Sequence, residues 1–109
     1  GNAYAPDVDI FDSKEGLVFE MDVPGVRKGS VNVQIDENNI MTVRAESSFV
    51  PPEGNLTNGE FEPGNFYRAF TLGEEFDREK IHGSLDKGVL KIMVPRKEAA
   101  KPRRIEINA

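Results

Sequence analysis

The chain has no cysteine, no tryptophan and a single histidine, His82, among its 109 residues. Without cysteine there can be no disulfide framework and no thiolate chemistry, which fits a reducing compartment, and a cytoplasmic location is expected. A lone histidine on a short strand reads more simply as a surface or core residue than as a catalytic one. No second histidine joins it, and the carboxylates sit in turns, so no metal cluster is expected. Without tryptophan there is no broad ring on which a sugar could stack. That weakens a carbohydrate-binding module and a two-carboxylate glycosidase, although residue types alone leave the latter open. No apolar run approaches a membrane span and no signal peptide is visible. No glycine-rich phosphate loop occurs. Ser13, Ser30, Ser47, Ser48 and Ser84 lack the G-x-S-x-G setting of a nucleophile. A net charge of −5 argues against a nucleic-acid partner. No enzyme activity and no cofactor are expected.

What is present is strand. At this length the chain makes one domain that buries roughly two thirds of its unfolded surface. Val8-Asp9-Ile10-Phe11 follows Pro6. Leu17, Phe19, Met21 and Val23 alternate with Val18, Glu20 and Asp22, the period of a half-buried strand, and Pro24-Gly25 ends it. Val31, Val33 and Ile35 alternate with Asn32 and Gln34. Asp36-Glu37-Asn38-Asn39 supplies turn residues able to take positive φ, and 40–45 returns as a hairpin arm. Strand patterning resumes over 66–72. Glu74 to Lys80 is charged, with room for one helical turn. A short strand over 80–85, a tight turn at Asp86-Lys87-Gly88 and a last strand over 89–94 complete the pattern. The predicted fold is all-β, an antiparallel immunoglobulin-like sandwich of 7–9 strands.

Two segments do not fit a plain sandwich. Residues 47–65 hold Pro51-Pro52, Gly54, Asn58-Gly59 and Pro63-Gly64, yet carry Phe49, Leu56 and Phe61, which a simple linker would not need. The basic tail ends in Arg104-Ile105-Glu106-Ile107-Asn108. On an extended chain Ile105 and Ile107 point the same way, roughly 6–7 Å apart, with Glu106 on the other side. They read as a peg seeking a hole; the plainer alternative is a last strand pairing within its own sheet. The charged turns read as a solvated face. The high charge suits a soluble protein.

Pro24-Gly25-Val26 after a strand, then Phe66-Tyr67-Arg68-Ala69-Phe70-Thr71-Leu72, then Gly88-Val89-Leu90 with Val94-Pro95, then Ile105-Glu106-Ile107, stand in an order and spacing that resemble the α-crystallin domain of the small heat shock proteins. The resemblance runs from about Tyr4 to Asn108 and is of the bacterial and plant type. Three positions depart from it. Gly83 stands where alanine is commoner, Lys87 replaces a common asparagine, and Glu60-Phe61-Glu62-Pro63-Gly64 lacks a usual arginine.

The resemblance implies an ATP-independent holdase that captures partly unfolded client proteins, with possible hand-over to ATP-dependent chaperones. It implies a homodimer and larger homo-oligomers. The long loop would carry a strand to the partner subunit, placing Leu56 and Phe61 against Val8, Ile10 and Phe11 of the dimer interface. The tail would enter a groove between the strand of Val31, Val33 and Ile35 and the strand of Ile81 and Leu85. Residues 1–3 would be the remnant of an N-terminal arm, because the chain starts at Gly1 and not methionine. Residues 4–97 would form the domain, with 47–65 as its dimerisation loop, and 98–109 the extension. The alternative is a monomeric co-chaperone-like sandwich, which would lack the paired isoleucines.

Overall fold

The computed structural model describes residues 3–47, 65–101 and Ile107. Eight strands occur among them: β1 (Ala3–Tyr4), β2 (Val8–Asp12), β3 (Gly16–Asp22), β4 (Val26–Ile35), β5 (Ile40–Ser47), β6 (Asn65–Thr71), β7 (His82–Asp86) and β8 (Val89–Pro95). They form two four-stranded sheets, ordered β1-β6-β5-β4 and β2-β3-β8-β7. All pairings are antiparallel except β1 with β6.

Period-two alternation builds the core. In β3, Phe19 and Met21 are buried, as is Val23 just beyond it, while Glu20 turns outward to Lys91 at 3.4 Å. Met41, Val43 and Ala45 do the same in β5, and Leu90, Ile92 and Val94 in β8. Phe19 meets Phe70 across the sandwich at 4.7 Å between ring centroids. Each such side chain stabilises the fold by roughly 1.5–3 kcal/mol, so these central strands outweigh the weakly buried edges.

Turn chemistry sets the hairpins. Asn39 takes φ 62° at the β4–β5 turn, where the Asp36 carboxylate accepts the Asn38 and Ile40 amides at 2.8 and 3.0 Å. Lys87 (φ 50°) and Gly88 (φ 79°) make the β7–β8 turn with two positive φ values, the arrangement whose twist matches that of paired strands. Gly16 adopts φ 155°, and a Cβ there would overlap the Val94 carbonyl oxygen. Gly16→Ala is therefore expected to cost about 2–4 kcal/mol, because backbone cannot yield as a side chain can. A thermal unfolding midpoint within a degree or two of the parent's would contradict this.

The structure adjusts several boundaries, most of them by one or two residues. β4 reaches back to Val26, with a register shift between Val26 and Val31. The charged stretch Glu74 to Lys80 makes a 3-10 turn only at Arg78–Lys80, capped by the Asp77 carboxylate accepting the Glu79 amide at 3.2 Å. β7 begins at His82 and not Lys80, since Lys80 still belongs to that turn. A second 3-10 turn, Glu98–Ala100, opens what the sequence reads as plain tail.

Candidate functional site

β4 ends one sheet and β7 ends the other. Between them lie two adjoining clefts, of about 180 and 410 Å³. Ile35 and Ile81 line the first, over a floor that includes Met41 and Ile92. Val31 and Leu85 line the second, with Leu90. Val33 and Gly83 line both and so mark the join. The structure thus brings together all five groove residues named from sequence, Val31, Val33, Ile35, Ile81 and Leu85. Four are half-buried against the core, and Val33, opposite the side-chain-free Gly83, is 36% exposed.

Gly83 explains why the join is open. It pairs with Ile92, whose side chain faces the core. A Cβ at Gly83 would sit 3.4 Å from the Lys91 carbonyl oxygen and 3.7 Å from Ile92 Cγ1, which is ordinary contact. Space for a side chain exists and the sequence leaves it empty.

β2 forms the other edge of its sheet. Val8 packs on the core, while Ile10 and Phe11 remain about half exposed. Val8, Ile10 and Phe11 all lie on β2, which among the described residues pairs only with β3. Leu56, Phe61 and Ile105 lie outside the described residues. Ile107 is 89% exposed.

The tail's root is tied to the β2–β3 turn. The Arg96 guanidinium donates to the Ser13 carbonyl and to the Asp12 carboxylate at 2.9 Å, and lies over the Phe76 ring. Lys101 Nζ reaches Glu98 at 2.9 Å and Glu15 at 3.0 Å. The hydrogen bond from Lys101 holds the Glu98 carboxyl below its ordinary value. The bonds to Glu98 and then Glu15 raise Lys101. The lowered Glu98 contributes above its unfolded value and fails as pH falls through its folded one. The raised Lys101 contributes below its unfolded value and fails as pH rises through its folded one. The tie is therefore intact across the neutral range.

Among the described residues no cluster of three or more His, Asp or Glu could hold a metal. His82 is exposed, with Nδ1 3.1 Å from the Lys80 carbonyl oxygen. No helix among them is long and apolar enough to cross a membrane.

A β-sandwich with an open apolar edge cleft has the form of a binding protein. The sequence model of the Hsp20/alpha crystallin family matches residues 9–108, and the chain belongs to that family. Proteins of this family are chaperones. The chain is 40% identical over 101 residues to the 18 kDa antigen of Mycobacterium leprae, covering 93% of this chain and 68% of that protein. It is 36% identical over 105 residues to a 17.5 kDa class I heat shock protein of Glycine max, covering 93% and 69%. A small heat-shock protein from Xylella fastidiosa superposes with a TM-score of 0.71 at 29% identity, covering 99% of this chain and all of that one. Heat shock protein 16.0 from Schizosaccharomyces pombe gives 0.69 at 25% identity, covering 97% of each.

Sequence reasoning missed the division of the groove into two holes, the contribution of Met41, Leu90 and Ile92 to its floor, and Lys28 and Arg78 at its ends. The floor residues were visible only as core. Lys28 and Arg78 stand among other exposed charges, and no local pattern sets them apart.

Proposed function

We propose that this chain is a cytoplasmic, ATP-independent holdase that binds partly unfolded proteins through extended apolar segments and keeps them from aggregating. The observation that carries the reading is the pair of holes. One is lined by Val33 and Ile35, the next by Val31 and Val33, and residues two apart on a strand lie roughly 6–7 Å apart. That is the spacing Ile105 and Ile107 would have on an extended chain. An extended peptide lying along the edge would place alternate side chains in successive holes, the geometry of β-strand addition. Residues 4–97 would provide the groove and 98–109 the tail that visits it, on a neighbouring subunit or its own.

In this reading the β2 edge, with Val8, Ile10 and Phe11, builds a homodimer with Leu56 and Phe61 of the partner's 47–65 loop. The tail links dimers into larger homo-oligomers; the similar protein of Xylella fastidiosa adopts a distinct high order structure. Each contact is weak and the assembly acts by number. Captured clients would pass to ATP-dependent chaperones. Nucleic acid and membrane are not partners. The chain mixed with a heat-labile protein is expected to suppress light scattering on warming, equally with and without ATP. Scattering that rises as fast as in its absence would overturn the holdase.

A further inference from the structure

The chain has no cysteine, so its sulfur chemistry rests on three methionines, Met21, Met41 and Met93. The fold treats them differently. Met21 and Met41 belong to the core, at 1% and 0% exposure. Met93 lies on β8 between Ile92 and Val94, both fully buried. Alternation therefore turns its side chain to the outer face of the sheet, where it is half-buried. The register sets Met93 beside Val18 of β3 and His82 of β7, and Val18 beside Phe11 of β2. These four residues make one row across all four strands. The neighbouring row on the same face is Asp9, Glu20, Lys91 and Ser84, polar throughout. Met93 thus completes a short apolar stripe on the side of the sheet away from the core.

We propose that Met93 is a reversible oxidation site, at which a peroxide turns this apolar row polar while the core stays intact. The sulfur lone pair attacks one peroxide oxygen and the O–O bond breaks. A sulfoxide S–O bond forms, and the second oxygen leaves as hydroxide and takes up a proton to become water. Sulfur is oxidised by two electrons and the peroxide is reduced by two. A thioether has no acid to ionise, so exposure decides which methionine reacts. At Met21 or Met41 the new oxygen would be buried among apolar side chains, at a cost to folding. At Met93 it can be solvated. The chain carries no thiol, so the reverse step has to come from another protein. A dithiol reductase would remove the oxygen as water and become a disulfide. Ile92 floors the groove and Met93 faces the other way, so the site is independent of the holdase reading.

The test treats the whole folded chain with hydrogen peroxide, quenches with free methionine and reads each methionine by mass spectrometry of a digest. Met93 is expected to gain one oxygen roughly tenfold or more faster than Met21 or Met41, which react only when the core opens. The singly oxidised protein should melt cooperatively near the parent's midpoint and elute earlier from a hydrophobic-interaction column. The two epimer-specific methionine sulfoxide reductases, supplied with a thiol, should restore the parent's elution. Met93→Leu is the control: a swap close in volume, it should fold as the parent does and lose the peroxide-dependent shift. Oxidation of all three methionines at one rate, or of Met93 last, would overturn the assignment. Loss of the cooperative melt on oxidation of Met93 alone would overturn the separation of this face from the core. Unchanged elution would overturn the switch to a polar row. Sulfoxide that both reductases leave in place would overturn its reversibility.

Discussion

Changing Ile105 and Ile107 together to alanine is expected to reduce the chain from larger assemblies to dimers. Burying two isoleucines in two apolar holes contributes about 3–6 kcal/mol gross, and ordering the tail costs about 1–2 kcal/mol per residue of backbone. One tail contact is therefore marginal, and its strength depends on being repeated around an assembly. Removing both side chains takes away the whole gross term, equivalent to roughly 10²–10⁴ in a binding constant. The alanine tail has nothing left to offset its ordering cost. Each single change should give an intermediate distribution that exchanges subunits faster than the parent. Sedimentation velocity reads all of these states. An unchanged distribution for the double variant would sink the tail as assembly device. A monomer in place of a dimer would sink the β2 edge as dimer interface.

Gly83→Leu is expected to close the groove without harming the fold. The Cβ position is free, and relief of glycine's backbone freedom within a strand is worth roughly 0.5–1 kcal/mol. The rest of a leucine side chain has to occupy the join, opposite Val33, where the two holes meet. It supplies from within the apolar contact that a peptide would make. Binding of an end-blocked peptide of residues 103–108 should fall by roughly two orders of magnitude or more, about 3 kcal/mol. The melting temperature should hold or rise. Gly83→Ala is the control: one methyl group in ordinary contact should leave binding within a few-fold. Full peptide binding by a folded Gly83→Leu protein would place the binding surface elsewhere.

Much of the sandwich is legible in the residues because alternation is a local property. Phe19 and Met21, Met41 and Val43, and Ile92 and Val94 each announce a buried face, since side chains two apart on a strand share a side. Asp86-Lys87-Gly88 and Asp36 to Asn39 announce their turns through residues that accept positive φ. The boundary misses fall where local rules weaken. β4 runs on through Arg27, Lys28, Gly29 and Ser30, which show no alternation, because pairing with β5 resumes at Val26 beyond a register shift. The 3-10 turn at Glu98–Ala100 sits in a stretch held by distant partners, Lys97 donating its amide to the Glu75 carbonyl at 2.7 Å and Lys101 meeting Glu15 at 3.0 Å.

The groove divides in the same way. By itself, the sequence determined that this is an all-β chain without a thiol, and that two isoleucines one residue apart lie near its end. Composition and period-two patterning are enough for that. Only the tertiary structure decided that β4 and β7 end different sheets, and that Val33 and Gly83 line both of two adjoining clefts. It also set Arg78 across one end through Asn39, a residue 39 positions away in the chain. The physical reason is that a strand's own residues fix which way its side chains face, but not which strand will stand opposite. That choice is made by the packing of the two sheets around one core.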